Sequence, residues 1–252
     1  MRVRTMLAAS LACALPITGL TAAGGAAAAQ PVNAEPVNAQ PVNAQSVRAA
    51  AVVPDDCPPP PDVTDSPMAE KYYCAQERFG PAAIPNDEPA ATLLRGYQRF
   101  GGLSASHFVQ LYYDATDKRW AYAPDRGFQR LDGKLDQTVY TVPIGTKLIR
   151  FGDILNGGGY LADPGTPFVQ MAVTPDALNG GYHCLSAEKE FRVQKGHVAA
   201  FYGMPGGGVQ EWLDQTLKPA GFQGDYKVNS LIAQGYLGEL PAERCNVTPT
   251  GS

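Results

Sequence analysis

The residues with the most chemical promise in this chain lie in the stretch 150–168, RFGDILNGGGYLADPGTPF. Arg150 ends a run that alternates like a β-strand (Tyr140, Val142, Ile144, Leu148), and Phe151 and Gly152 follow at once. Three consecutive glycines (Gly157, Gly158, Gly159), an aromatic at Tyr160 and a Pro164-Gly165 turn complete the stretch. Glycine lets a backbone approach a ligand closely because no Cβ stands between them. A guanidinium beside such a loop presents a planar fork of donors that matches phosphate or carboxylate. The same pattern also fits an ordinary flexible hairpin with a solvated arginine.

Two further stretches carry possible chemistry. In Gly181-Tyr182-His183-Cys184 a histidine leaves a Gly-Gly turn to enter a strand, a position that suits either a site residue or a structural one. In the stretch 201–210, FYGMPGGGVQ, a glycine-rich loop precedes what the spacing predicts as a short helix over 209–217, stopped by Pro219. That places Gln210 in a first helical turn, where free N–H groups and a carboxamide meet a ligand; a plain loop-to-helix joint fits as well. Other constellations are missing: no Gly-x-Ser-x-Gly elbow, no phosphate-binding Walker loop, no His-Glu-x-x-His and no calcium loop of EF-hand spacing. No Asp/Glu pair stands out as acid and base for ordinary glycoside cleavage.

The elements that must position these residues read as α+β, an N-terminal helical segment followed by a mostly antiparallel β core with short helices. Apolar residues at helical intervals (Leu93, Leu94, Tyr97) predict a helix over 90–100 that stops at Gly101-Gly102, and Ser104 is placed to cap a second helix carrying Phe108, Leu111 and Tyr112. A turn is expected at 117–119. Period-two runs predict strands over 139–149, 168–173 and 191–193, and a last helix should start after Asn229 and stop at Gly235.

The chain begins with a positive n-region (Arg2, Arg4), an apolar stretch over 6–20 and small residues up to Ala29, which reads as a secretory signal peptide over 1–29. Residues 30–54 follow a five-residue period (Gln30-Pro-Val-Asn-Ala and its copies), neither helical nor strand-like, and read as a linker. The remainder divides into a helical, disulfide-stapled segment over 55–104 and a main domain over 105–252. Loss of Arg2 and Arg4 with the leader takes the net charge from −4 to −6, which argues against nucleic acid as a partner. No other apolar run is long enough to span a membrane, and a secreted, extracellular protein is expected. Cys57, Cys74, Cys184 and Cys245 follow the leader, an even number that suits two disulfides in an oxidising compartment, with three pairings open. Cysteine and histidine spacing does not suit a zinc site.

Taken together, the motifs resemble the TNT family, named for the necrotizing toxin of the tubercle bacillus, which includes secreted fungal and actinobacterial NAD glycohydrolases. The resemblance rests on Arg150-Phe151-Gly152, Gly159-Tyr160-Leu161-Ala162, Gly165-Thr166-Pro167-Phe168, Tyr182-His183, and Gly203 with Pro205-Gly206-Gly207-Gly208 and Gln210, and covers roughly 97–240. Met171 stands where the family usually has an arginine, and Phe201-Tyr202-Gly203 where Trp-Phe-Gly is common.

The resemblance implies that the domain over 105–252 is catalytic and hydrolyses the nicotinamide–ribose bond of NAD⁺ or NADP⁺, both as substrates, with no cofactor, and no metal-ligating residue is assigned. It implies catalytic roles for Arg150 (pyrophosphate), Gln210 (reacting ribose or water) and His183 (substrate positioning or loop support), and substrate-binding roles for Phe151, Tyr160 and Gly208. An ADP-ribosyltransferase or cyclase, or an NAD-binding module with weakened catalysis, is the alternative. Secreted fungal members bind calcium, but no calcium-loop pattern is present to carry that over. A homodimer, and an inhibitor protein in the producer, are the further partners that the resemblance admits.

Overall fold

The computed structural model describes residues 57–59 and 71–246. The expected leader and linker lie outside the described residues. Two small antiparallel hairpins come first, β1 (Tyr113–Asp114) with β2 (Arg119–Trp120) and β3 (Arg130–Leu131) with β4 (Lys134–Leu135). The main sheet is built from β5 (Thr138–Val142), β6 (Lys147–Phe151), β7 (Tyr160–Ala162), β8 (Tyr182–Ala187), β9 (Phe191–His197), β10 (Val209–Trp212) and β11 (Leu237–Leu240). Its seven strands run in the order β11-β8-β6-β7-β10-β9-β5, and every neighbouring pair is antiparallel. Four short helices, α1 (Ala90–Leu93), α2 (Ala105–Tyr112), α3 (Phe168–Met171) and α4 (Val228–Ala233), complete an α+β fold.

The sheet buries both faces. Strand alternation puts Ile149, Ala162 and Cys184 on one face, where they meet Phe79, Phe100, Phe108, Trp120 and Phe168. Leu148, Leu161, Leu185 and Val193 point the other way, into a second core closed by Leu213, Tyr226 and Leu231 of the α4 region. The first core draws on residues from both 55–104 and 105–252, and its rings meet at angles: Phe79 with Phe100 at 5.4 Å, Phe100 with Phe108 at 5.2 Å, Phe108 with Trp120 at 5.5 Å. Each fully buried ring of this kind contributes about 1.5–3 kcal/mol, which is what holds the N-terminal segment, since its own helices are too short to be stable alone.

Several local expectations hold. The Ser104 side chain accepts from His107 N at 3.2 Å and caps α2. The β1–β2 turn is fixed by Asp114 Oδ1, which accepts from Thr116 N and Asp117 N. The disulfides are Cys57–Cys74 and Cys184–Cys245. The second ties β8, the strand next to the edge strand β11, to the C-terminal turn Ala242–Cys245.

Four elements differ from the sequence reading. The strand expected over 139–149 is two, β5 and β6, broken at a turn where Gly145 takes φ 82. The helix expected over 90–100 stops at Leu93, because Gly96 takes φ 73 and the following chain is pinned by Arg99, which donates to the carbonyls of Phe79 and Pro81. The strand expected over 168–173 is the helical turn α3. Pro167 sets its entry, and Phe168 and Met171, three apart, are buried together. The helix expected over 209–217 is strand β10 and a separate 3₁₀ turn, Gln215–Leu217. A glycine run followed by Val, Gln, Glu and Trp suits either element by propensity; pairing with β7 and β9 on both sides decides for the strand.

Candidate active site

Strand β6 delivers Arg150 to its C-terminal end, and the loop to β7 wraps the guanidinium. Arg150 Nη1 donates to Tyr160 O at 2.8 Å and Nε to Asp153 O at 3.3 Å. A Cβ on Gly157 would fall 2.4 Å from Asp153 O and 3.5 Å from Arg150 Nε, so only glycine lets the loop close this tightly. The Asp153 carboxylate does not neutralise the arginine. It accepts from Leu155 N (2.6 Å), Asn156 N (3.2 Å) and Asn156 Nδ2 (2.9 Å) within its own loop. Burial lowers the pKa of Arg150 from its ordinary value, with Asp153 opposing. A guanidinium remains charged regardless. Among the described residues Arg150 forms no ion pair, which leaves a desolvated cation ready for an anion.

Gln210 sits in β10 between β7 and β9, opposite Ala162 and Gly196, and is only 7% exposed. Its Nε2 donates to Arg126 O at 3.1 Å. That carbonyl belongs to the turn Pro124–Gly127, in which Asp125 (φ 53) and Arg126 (φ 60) both adopt the left-handed conformation. Each costs about 1–2 kcal/mol in a residue with a Cβ. The strain is held by the Asp125–Arg130 ion pair (2.7 and 2.9 Å), by Ala199 N donating to Gly127 O at 2.8 Å, and by Gln210 itself. Two residues along β10, and so on the same face as Gln210, Trp212 lies under the Arg126 guanidinium, 5.1 Å from carbon to ring centre.

These walls enclose a cavity of about 1170 Å³, large for a small-molecule site and roomy enough for a dinucleotide. Arg150, Phe151, Tyr160 and Gln210 all line it. Phe151 is mostly committed to the core, edge-on to Phe168 (5.0 Å) and Tyr182 (5.3 Å). Tyr160 is half-buried. Burial raises the pKa of its hydroxyl, against the pull of Arg126.

His183 and Gly208 are not among the lining residues. His183 Nε2 donates to Gly180 O at 2.8 Å and Nδ1 lies 2.7 Å from Glu239 Oε1, so both ring nitrogens are engaged beneath the loop. Gly208, just before β10, packs against α3 and the loop that enters it. A Cβ there would meet Thr166 Cγ2 at 2.7 Å and Gln170 O at 2.9 Å.

The cavity also holds residues that the sequence reading passed over: Arg126, Trp212, Tyr122 and Asp176. Trp212 is visible from alternation once 209–212 is a strand. Burial pushes the Asp176 carboxyl above its usual value, with Thr174 opposing, and its Oδ1 has no hydrogen-bond partner. Behind β10, on the other face, Glu211 is fully buried with Lys195 Nζ 2.7 Å from Oε1, yet neither carboxylate oxygen receives an aligned hydrogen bond. Burial pushes Glu211 up to about 8 against the pull of Lys195. Among the described residues no three His, Cys, Asp or Glu side chains group where they could hold a metal ion.

A family model described as tuberculosis necrotizing toxin matches residues 141–240, which include β6, β7, β10 and the loops between them. The conidial surface nicotinamide adenine dinucleotide glycohydrolase nadA of Aspergillus fumigatus is 31% identical over 202 residues, covering 75% of this chain and 80% of that one. Among solved structures, the tuberculosis necrotizing toxin complexed with its immunity factor superposes with a TM-score of 0.43 at 21% identity, over 54% of this chain and 71% of that one. Rhs1-CT in complex with its cognate immunity protein gives a TM-score of 0.28 at 13% identity, over 45% of this chain and 84% of that one. On its motifs, its family match and its likeness to the fungal glycohydrolase over four-fifths of that protein, the chain belongs to the tuberculosis necrotizing toxin (TNT) family.

Proposed function

We propose that this protein is a glycohydrolase that cleaves the bond between nicotinamide and ribose in NAD⁺ and NADP⁺, releasing nicotinamide and ADP-ribose or its 2′-phosphate. The observation that carries this is the meeting of Arg150 and Gln210, 60 positions apart in sequence, in the lining of one dinucleotide-sized cavity. The kinship with a named NAD glycohydrolase supports the reaction.

The chemistry suits the residues. The bond from ribose C1′ to the pyridinium nitrogen breaks with both electrons going to nitrogen, so nicotinamide leaves neutral and no acid has to protonate it. The ribose passes through an oxocarbenium-like state, water adds at C1′, and its proton goes to solvent. NAD⁺ and NADP⁺ enter as substrates, and the step as written needs no redox group. Catalysis then rests on orientation and electrostatics. In this reading Arg150 binds the diphosphate, and Gln210 uses its carboxamide oxygen to orient a ribose hydroxyl or the attacking water. Tyr160 and Phe151 pack against the substrate's rings, His183 supports the loop beneath, and Gly208 sets the approach of β10. The two disulfides suit an oxidising compartment, and the proposed enzyme is secreted. No helix among the described residues is long and apolar enough to cross a membrane.

The test is product analysis with NAD⁺ as substrate. Nicotinamide and ADP-ribose in equal amounts are expected. Cyclic ADP-ribose as the main product, or label transferred to protein, would replace hydrolysis with the cyclase or transferase reaction.

A further inference from the structure

We propose that Arg126 is a second anion contact in this cavity, taking a phosphate of the dinucleotide and setting its position relative to Gln210; the identity of the ligand rests on the glycohydrolase reading above. Arg126 is exposed at the cavity lining, with its guanidinium over the Trp212 ring. Stacking on an aromatic face fixes the plane of the guanidinium while leaving its N–H edge free for a planar acceptor. Among the described residues Arg126 forms no ion pair. The two aspartates near it make their hydrogen bonds elsewhere, Asp125 to Arg130 (2.7 and 2.9 Å) and Asp214 to Thr216 N (3.0 Å) and Gln194 Nε2 (3.2 Å), although the Arg126 charge still stabilises the Asp214 carboxylate.

The backbone points the same way. Two consecutive residues with side chains, Asp125 and Arg126, are held in left-handed conformation by an ion pair and two cross-chain hydrogen bonds. A solvated surface turn needs no such fixing. Here it presents the Arg126 side chain to the cavity while the carbonyl of the same residue receives the Gln210 amide. One residue therefore touches the proposed reacting end through its carbonyl and offers a cation through its side chain.

Both cavity arginines act on one tyrosine. Arg150 donates to the Tyr160 carbonyl at 2.8 Å, and the charge of Arg126 acts on the Tyr160 hydroxyl. The stretch 171–173 of the opposite wall is apolar and runs on into Thr174 and Asp176, and the remaining cation in the lining is Lys71. A diphosphate carries charge on two phosphorus centres joined by one bridging oxygen, and two arginines in one cavity match it better than a single one. The competing account is that Arg126 only covers Trp212, as long charged side chains often do.

Calorimetric titration of ADP-ribose, and of adenosine in parallel, into the full chain and its Arg126→Ala and Arg126→Lys variants separates the two. We expect ADP-ribose affinity to fall about ten-fold in Arg126→Ala and by a smaller factor in Arg126→Lys, which keeps the charge but not the stacked planar fork, with adenosine affinity unchanged in both. Unchanged ADP-ribose affinity in Arg126→Ala, an equal loss for adenosine, or no ADP-ribose binding by the parent chain would overturn the proposal. Nicotinamide release by the parent is scored separately, so failure of the hydrolytic reading and failure of this contact give different results.

Discussion

The side-chain amide of Gln210 donates to the main-chain carbonyl of Arg126 at 3.1 Å, across 84 positions of sequence. The bond decides which way the carboxamide faces. With Nε2 committed to the turn, Oε1 is the end left to act as an acceptor in the cavity. A strand held on both sides fixes the backbone, and a strained turn fixes the side chain, so Gln210 is oriented before substrate arrives.

Arg150 combines an unneutralised charge with two bonds to its own loop. Its proposed phosphate bond is equally strong in ground and transition states, so Arg150→Ala should raise KM for NAD⁺ about ten-fold or more, with a much smaller fall in kcat. Steady-state kinetics checks this. A fall in kcat at unchanged KM would contradict the role.

His183 is expected to matter to stability rather than to turnover. Replacing it with Ala removes the bond to Gly180 O and the contact with Glu239, at a cost of about 1–2 kcal/mol. Thermal unfolding should show a lower Tm, while kcat at 25 °C stays within a few-fold of the parent. A loss of kcat by orders of magnitude in a folded variant would return His183 to the chemistry.

The Cys184–Cys245 bridge closes a loop with a sequence separation of 61 and joins strand β8 to the last turn of the described chain. Loop-closure entropy gives it about 4 kcal/mol of stability. The double variant Cys184→Ser, Cys245→Ser should unfold at markedly lower denaturant than the parent, and the parent should show the same loss on reduction. Equal midpoints for parent and variant would rule out a stabilising role.

Glu211 gives the fold a pH dependence. A carboxyl that holds its proton more tightly when folded contributes its full stability below the unfolded value of 4.5, and loses it as pH rises through about 8. The Tm of the parent should therefore fall between pH 5 and pH 9. Glu211→Gln keeps the volume and removes the titration, so its profile over that window should be flatter, with the variant the more stable at pH 9. Parallel profiles for the two would contradict this account.

How much could be seen in the chain beforehand depends on the kind of signal. Arg150, Phe151, Tyr160 and Gln210 were legible because each sits in a local pattern of glycine, proline and aromatic residues. The cap at Ser104, the turn at 117–119 and the antiparallel core were legible from short-range periodicity. Trp212 was hidden by the helical reading of 209–217: in a helix it would leave the face of Gln210, and in a strand it shares it. Arg126 was hidden for a different reason. Its importance comes from a turn whose ends are tied by residues 130, 199 and 210, none of which is a neighbour in sequence. His183 and Gly208 stand beside site residues in sequence, but their partners, Gly180 with Glu239 and Thr166 with Gln170, give them supporting positions.

The measurement that tests the central claim most directly is the rate of nicotinamide release from NAD⁺ by the parent chain and by Gln210→Ala, with folding of both checked by thermal unfolding. The account predicts release by the parent and a fall of about 10²-fold or more in kcat for the variant, the loss expected when a positioned polar group at a reacting centre is removed. Equal rates in two folded proteins, or no release by the parent, would contradict it.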